Sequence, residues 1–581
     1  MSGNILDSTV KSASLNVIFQ VFVKGITFLL NAFILRYITQ EVVGVMNVRL
    51  LLLESTILFL SREAFRRAAL SQRELCSWQQ IINLIWLMVP LSLLISFICI
   101  FLWLYLLEVP PTTVTLHYNI AVLVISASCV IEIVGEPPFI VAQAYLFIKL
   151  KVVLGALVVL LRTIIFIPWV IYAPKEAVLA FSVAQIVANV AYCISYYYFF
   201  NWYVKHNSSI NKFKTKNFCE GKIKQFLNRS ETKNNSYRIR SREIKVSKTI
   251  EKCQANTTAY NEEFPFTSIT EFLPNFSGPQ EWLHPCSAWL TWSFLKQGIL
   301  KQILTEGEQY IMTLFSVLSF KEQGIYDIIN NLGSLIVRFL FRPVEESLYF
   351  YFTQMISRDV PMKNQDHKNV VEVARVLHQS LSCFVDIGLL IFTFGQSYSS
   401  LLLYYYGGET IVSGEGPKLL RAHSFSVILL GINGITECYA FSTMTALQLN
   451  KYNYIMAAFS VMFLVVSWSL TKFLGGLGFI IANCCNMLAR IIHSVWFIRK
   501  SFYHSKLQPL SGMIPTRYYF ISLCVTLIIT KISEMYCNNI QHFTVGVLCL
   551  TSVAGVWSLE RQDIIHLAKQ KWCTSKIRKY I

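Results

Sequence analysis

The stretches GVMNVRLLLLESTILFLSR at residues 44–62 and GIYDIINNLGSLIVRFLFR at residues 324–342 are the most informative parts of this chain. Each begins with glycine and a branched apolar residue, and each has Phe-Leu-x-Arg after thirteen further residues. The second copy therefore lies 280 residues after the first. Similarity between the two halves of a hydrophobic chain is typical of a two-lobed transporter, in which the substrate passes between the lobes.

Polar residues on the first predicted span of each half support this repeat. They are spaced by 4, 4, 3 and 4 residues in the first half and by 4, 4 and 3 in the second, which keeps each set on one face of a helix. The two sets are offset by 281 residues, close to the offset above. They are Asn16, Gln20, Lys24, Thr27 and Asn31, and Gln297, Lys301, Thr305 and Glu308.

The composition indicates a membrane protein. The chain has 581 residues, of which 54% are hydrophobic and 14% charged, whereas an ordinary globular domain is about 25% charged. The formal net charge is +18, which in a membrane protein points to cytosolic loops and lipid headgroups. We find no motif for binding nucleic acid, and we predict no nucleic-acid partner.

Runs of about twenty apolar residues predict the fold, because that length crosses a bilayer. We predict an all-α polytopic membrane protein with about fourteen transmembrane helices, in two pseudo-symmetric six-helix lobes plus two C-terminal helices. The lobes are residues 1–203 and 293–498, residues 204–292 form a mostly disordered linker, and residues 499–581 hold two extra spans and a basic tail. The predicted spans are 13–38, 43–61, 81–107, 118–147, 152–173, 177–203, 293–317, 323–353, 373–397, 422–449, 453–473, 475–498, 516–532 and 542–558.

The distribution of lysine and arginine predicts the orientation. Loops 62–80, 149–151, 354–372 and 499–517 are basic, while loops 108–117 and 533–541 on the other side carry almost no basic residue. By the positive-inside rule, both termini and the linker are cytosolic. The linker holds Asn-x-Ser/Thr sequons at Asn207, Asn228, Asn234, Asn256 and Asn275, and on this topology none is glycosylated.

The charges within the spans give the candidate site. A charged side chain in a membrane helix costs roughly 2.5–3.5 kcal/mol on insertion scales, so these groups should face a protein interior or a wet cavity. The candidate contacts for an anionic headgroup are Lys24, Arg62, Arg66, Arg67, Lys301, Arg338 and Arg342. The candidate polar residues that tune the cavity are Asn31, Glu54, Glu132, Gln143, Glu306, Glu308, Asp327, Asn331, Glu437 and Gln448.

Besides misplaced span boundaries, two interpretations of these charges stay open at this point. They pair with each other and lock the helices together, for example Glu306 or Glu308 with Arg338, or the cations hold an anionic headgroup while the acids tune them. Glu132 and Gln143 have the same spacing as Glu437 and Gln448, which is a further internal correspondence. Pro137 and Pro138 remove backbone donors and predict a kink in the fourth span.

Signals for catalysis and for bound metals are weak. The fifteen cysteines are scattered and support neither a zinc cluster nor a disulfide framework. A Walker-type nucleotide loop does not occur in the sequence. We therefore predict a protein that is not an enzyme, with no metal and no cofactor.

Several segments resemble the Rft family of endoplasmic-reticulum membrane proteins, and the resemblance covers nearly the whole chain except 204–292. They are FLSREAFRR at 59–67, LTEGEQY at 304–310, QGIYD at 323–327, NLGSLIVR at 331–338 and RPVEESLY at 342–349. The family is grouped with the multidrug/oligosaccharidyl-lipid/polysaccharide exporters, which have two six-helix lobes and in some members two extra helices. The resemblance implies movement of Man5GlcNAc2-diphosphodolichol from the cytosolic to the lumenal leaflet for protein N-glycosylation. The implied partners are this dolichol-diphosphate oligosaccharide, membrane lipids and enzymes of the N-glycosylation pathway.

Three alternatives compete with a flippase. A non-transporting accessory protein that supports dolichol-linked oligosaccharide assembly needs no cavity, and its polar stripes would be structural. A membrane-embedded glycosyltransferase needs a compact acidic cluster on a sizeable lumenal loop, for which Glu409 and Glu415 are the nearest candidates. An exporter of drugs or of other lipids would share the fold.

Overall fold

The structure is a computed structural model, and it describes residues 25, 32–71, 77–111, 116–145, 147–230, 264–275, 282, 285–358, 360, 362–503, 505 and 507–562. Within these residues the chain is helical and contains no β-strand. The all-α prediction is confirmed for this part of the chain. Of the predicted first span, 13–38, the structure describes residues 25 and 32–38, so Lys24 and Asn31 lie outside the described residues.

The first half contains six helices that the structure describes. The third and fourth of them are the two arms of one bent pair. Their bounds are α1 Gln40–Ser71, α2 Trp78–Leu106, α3 Tyr118–Val134, α4 Glu136–Ala144, α5 Ile148–Tyr172 and α6 Ala177–Ser230.

The second half begins at Pro285, and its helices contain more breaks than those of the first half. Its bounds are α7 Pro285–Thr305, α8 Gly307–Leu314, α9 Phe320–Gly333, α10 Arg342–Met355, α11 His367–Gly407, α12 Gly416–Thr443, α13 Ala446–Leu474 and α14 Gly476–Phe502. A final hairpin consists of α15 Arg517–Tyr536 and α16 Asn539–Glu560.

Ten helices in the described part are long and apolar enough to cross a membrane, and the bent pair α3–α4 brings the number to eleven. The chain is therefore a multi-pass membrane protein, while fourteen spans in two six-helix lobes stays a prediction. The kink predicted at Pro137 and Pro138 is confirmed, because α3 and α4 differ in direction by 44° and both prolines lie in the first turn of α4.

The predicted spans 293–317 and 323–353 are broken helices. The first divides at Glu306 into α7 and α8. The second divides into α9, a π-helical turn Val337–Phe341 and α10, which has proline in its first turn. Broken helices within a membrane protein are tolerated where their polar groups face protein or a watered cavity. These two breaks lie beside the cavity described below.

Besides the start of α7 at Pro285, two parts of the predicted linker have defined structure. Helix α6 continues to Ser230, well beyond the predicted end at 203. Residues 264–275 pack against the first half, where Phe266 and Phe272 are buried in its apolar core. Asn83 holds the same segment, since its side-chain amide donates to the Asn275 carbonyl over 3.0 Å and its oxygen accepts from the Asn275 N–H over 3.0 Å. The disorder predicted for 204–292 therefore does not describe these two parts, because aromatic side chains anchor the second of them.

The C-terminal hairpin is fastened to α11 at one end and to α12 at the other. Asp386 of α11 accepts hydrogen bonds from Trp557 Nε1 and Arg561 Nε, each over 3.1 Å. Near the turn of the hairpin, Glu534 accepts from Arg421 of α12 over 2.6 Å. The hairpin is thus an addition to the second half and takes no part in lining the cavity.

Candidate functional site

A cavity of about 1530 Å³ lies between the two halves, bounded by α1, α5, α7, α8, α9 and the turn into α10. Seven cationic and four acidic side chains of the described residues line it. They are Arg62, Arg66, Lys151, Arg162, Lys301, Arg338 and Arg342, and Glu54, Glu63, Glu306 and Asp327. Facing a cavity allows these groups to stay hydrated, which avoids the cost of exposing charge to lipid.

Nine of the predicted site residues line this cavity: Arg62, Arg66, Lys301, Arg338, Arg342, Glu54, Glu306, Asp327 and Asn331. Two more, Lys24 and Asn31, lie outside the described residues. The remaining six are placed elsewhere, as described below. Which of the lining residues contact a ligand stays a prediction.

At one end of the cavity, two arginines of α1 face two glutamates of α3 and α4. Arg66 Nε donates to Glu136 Oε2 over 2.7 Å and Arg66 Nη2 to Glu136 Oε1 over 2.5 Å. Arg62 Nη1 donates to Glu132 and lies 3.6 Å from Glu136 Oε1. Arg62 and Arg66 are four residues apart on α1, and Glu132 and Glu136 are four residues apart across the α3–α4 bend. The two arginines and the two glutamates are therefore each separated by about one helical turn, so both ion pairs form side by side.

Both glutamates lie behind the arginines rather than on the cavity wall. The Glu136 side chain is 0% exposed, and the second oxygen of Glu132 accepts from Asn189 over 3.1 Å. Sequence reasoning placed Glu132 in the cavity and left Glu136 out. The signal was present, because Glu136 follows Glu132 by one turn at the predicted kink.

The fifth predicted span contains a cavity residue that sequence reasoning missed. Arg162 is the single charged residue within 152–173, and it lines the cavity. Its Nη1 donates to Gln185 Oε1 over 3.0 Å, and Gln185 Nε2 donates to Glu54 Oε1 over 2.6 Å. A lone charge in an otherwise apolar span was the signal that could have found it.

The two halves meet at the other end of the cavity through Gly44 and Gly324, the glycines that begin the two repeated stretches. An added Cβ on Gly44 would lie 2.9 Å from the Gly324 nitrogen, and one on Gly324 would lie 2.9 Å from the Gly44 nitrogen. Three residues further on, Asn47 Nδ2 donates to Asp327 Oδ2 over 2.8 Å. Both contacts join positions 280 residues apart, which is the offset of the sequence repeat.

Asp327 is also held within its own helix. Asn331 Nδ2 donates to Asp327 Oδ2 over 3.0 Å, and Arg338 Nη2 donates to Asn331 Oδ1 over 3.2 Å. All three are among the predicted site residues. The suggested pairing of Arg338 with Glu306 or Glu308 does not occur in the structure, because Arg338 bonds to Asn331 and Glu308 bonds to Tyr326 over 2.8 Å.

The other predicted residues that do not line the cavity have local partners. Arg67 pairs with Glu63 over 2.8 Å, and Gln143 accepts from Lys151 over 3.4 Å. Glu437 accepts from Arg490 Nε and Nη2 over 2.7 and 2.6 Å. Gln448 is exposed and closes a capping box with Thr445 at the start of α13.

The comparisons with known proteins agree with this architecture. The model of the Rft protein family matches residues 8–571. The chain belongs to the Rft protein family. The protein named Man(5)GlcNAc(2)-PP-dolichol translocation protein RFT1 from Drosophila melanogaster is 40% identical over 98% of each chain. The protein of the same name from Xenopus tropicalis is 38% identical over 100% of this chain and 99% of its own.

A solved structure shares the fold of this Rft family member. The lipid II flippase MurJ in its inward closed conformation aligns with 94% of this chain and 100% of its own, with a TM-score of 0.53 and 12% identity. At this identity the similarity concerns the fold alone.

Proposed function

We propose that this protein moves Man5GlcNAc2-diphosphodolichol from the cytosolic to the lumenal leaflet of the endoplasmic-reticulum membrane, for protein N-glycosylation. The observation that carries the proposal is the large cavity between the halves, with seven cationic side chains in its lining. The names of the two RFT1 relatives support this choice of cargo. The proposal includes fourteen spans, with six in each lobe and two at the C-terminal end.

The chemistry of the cargo explains why such a cavity is useful. A diphosphate with attached sugars cannot cross about 30 Å of hydrocarbon unaided. A cavity lined by guanidinium and ammonium groups replaces the water around the phosphates, while the polyprenyl chain stays in the lipid. The side chains of Arg162 and Arg338 then provide charge deep between the halves.

We propose alternating access as the mechanism, in which the two halves separate first at one end and then at the other. On the orientation predicted from lysine and arginine, Arg62, Arg66 and Lys151 lie at the cytosolic end of the cavity. Gly44 and Gly324 then lie at the lumenal end, where they hold the halves together. Release of the cargo to the lumen requires the contact between Gly44 and Gly324 to separate.

Leaflet exchange in liposomes tests the proposal. The purified protein is reconstituted with labelled dolichol-linked oligosaccharide, and the wild type is compared with Lys24→Ala and Arg338→Ala. We expect exchange well above that of empty liposomes, and strong reduction in both variants. Arg375→Ala is the matched control, because Arg375 is exposed on α11 and does not line the cavity. Exchange equal to that of empty liposomes would favour the accessory role over transport.

The proposed topology gives a separate prediction. All five sequons lie between 207 and 275, in the segment assigned to the cytosol, where oligosaccharide transfer does not occur. We expect no change in gel mobility when the expressed protein is treated with an N-glycosidase. A known lumenal glycoprotein from the same cells serves as the positive control. A mobility shift would place the linker in the lumen and reverse the orientation.

A further inference from the structure

Two of the cavity cations of the first half, Arg62 and Arg66, are already neutralised by protein carboxylates. Arg66 uses two of its nitrogens on Glu136, and Arg62 is paired with Glu132. Arg162 is linked through Gln185 to Glu54. When a guanidinium is paired with a carboxylate, its charge is already compensated and fewer of its N–H groups are free to donate to a ligand.

Arg338 and Arg342 of the second half differ from Arg62 and Arg66 in this respect. Arg162 and Lys151 also bond to neutral amides, but they are only partly exposed. Arg338 and Arg342 line the cavity and are exposed. Among the described residues, no carboxylate oxygen lies within 4.0 Å of either guanidinium, since the ion pairs found there involve other arginines and lysines. Asp327 and Glu345 act on Arg338 and Arg342 only at longer range, and the hydrogen bond found for Arg338 is to the neutral amide of Asn331.

Free hydrogen-bonding groups also gather at the break between α7 and α8. Glu306 occupies the break, and Gln309 follows it by three residues in α8. Both side chains line the cavity, and their backbone groups are engaged in the helix start. A carboxylate and an amide at such a site can accept from and donate to sugar hydroxyls.

We propose that the second half carries the headgroup, with its diphosphate on Arg338 and Arg342 and its proximal sugar hydroxyls on Glu306 and Gln309. The inference rests on the proposed function and assigns its ligand contacts. The charges of the first half then act mainly as a structural framework for the opposite wall. A diphosphate carries more than one negative charge, so it binds best where cationic charge is not already neutralised.

Binding to the full chain in detergent tests this assignment. The probes are a chitobiosyl polyprenyl diphosphate, farnesyl diphosphate, inorganic diphosphate and farnesol. We expect Arg338→Gln and Arg342→Gln each to weaken both lipid diphosphates by about tenfold, which corresponds to the loss of one charge-assisted hydrogen bond. Glu306→Gln and Gln309→Ala should weaken only the probe that carries sugar. Farnesol should bind equally to all variants.

Two comparisons keep the outcome interpretable. Arg338→Lys and Arg342→Lys retain the charge and should keep most of the affinity if charge is what binds, whereas Arg375→Gln removes an arginine outside the cavity. If the wild type binds lipid diphosphates and the two glutamine variants bind them equally well, the assignment is wrong although the proposed function stands. If the Arg66→Gln, Glu136→Gln double variant loses as much affinity as Arg338→Gln, the headgroup is not confined to the second half.

A wild type that binds no lipid diphosphate contradicts both the assignment and the proposed cargo. Tight binding of inorganic diphosphate would instead show that the arginines recognise free phosphates, and that the lipid adds nothing. In that case the site would belong to a soluble anion. Each variant is compared at equal amounts of monodisperse protein, so that a folding defect is not counted as weak binding.

Discussion

Gly44→Ala is expected to disrupt the closed end of the cavity and to reduce lipid exchange by about 100-fold. The added Cβ would collide with the Phe320 carbonyl oxygen and approach the Gly324 nitrogen to 2.9 Å. Both obstacles are backbone atoms of α9, so no side-chain rotation relieves the contact. Overpacking of this kind costs about 3 kcal/mol, which disfavours the arrangement in which the two halves touch. Leaflet exchange and the thermal unfolding midpoint in detergent measure the effect.

The repeat provides a second test of the same contact. Gly324→Ala places its Cβ against the Gln40 carbonyl and within 2.9 Å of the Gly44 nitrogen, so we expect the same loss. Gly555→Ala is the control, since an added Cβ there has no neighbour within 4 Å. Alanine favours a helix over glycine by about 1 kcal/mol, and this control should be neutral or slightly stabilised. Equal activity of all three variants would contradict the role of the Gly44–Gly324 contact in transport.

The internal repeat could be predicted from the sequence, but the contacts between its two copies could not. Matching spacings identified Gly44 with Gly324 and Asn47 with Asp327. Equivalence alone does not say which matched positions touch, because that depends on how the helices tilt and cross. The structure shows that these two pairs meet directly.

The correspondence between Glu132 and Glu437 shows where the pattern becomes unreliable. Both residues are paired with an arginine, but Glu132 bonds to Arg62 of α1 and Glu437 to Arg490 of α14. The spacing to Gln143 and Gln448 describes positions along the chain, across a helix break in each half, and carries no information about the facing helix. Only the first of these two ion pairs lies beside the cavity.

The anchored part of the linker shows a different limit. The segment around Phe264 is surrounded by polar, low-hydropathy sequence, so composition favoured disorder throughout 204–292. Phe272 stacks on Phe266 with ring centroids 4.5 Å apart, and Trp78 meets Phe266 edge to face with centroids 5.4 Å apart. A few aromatic residues suffice to anchor a short segment, and averaging over the whole linker conceals them.

Glu136→Gln is expected to lower the stability of the protein by about 3 kcal/mol. The substitution keeps the shape of the side chain but removes its negative charge, which leaves Arg62 and Arg66 sharing only Glu132. Glu136 is fully buried, while the two arginines are 23% and 21% exposed to the cavity. Water in the cavity reduces the penalty, so we place it at the lower end of the range for a broken buried pair. The thermal midpoint and the yield of monodisperse protein in detergent measure it.

The cause of this loss can be separated from a packing defect by removing the partner charge as well. If unpaired arginine is responsible, the Arg66→Gln, Glu136→Gln double variant should be more stable than Glu136→Gln alone. The control is Glu534→Gln, whose 2.6 Å ion pair with Arg421 is more exposed and should cost about 1 kcal/mol or less. A double variant that is no more stable than the single one would show that Glu136 acts through its shape or its hydrogen bonds. The positive charge of Arg62 and Arg66 would then be available to bind an anion. The reason for assigning the diphosphate to Arg338 and Arg342 would be weaker.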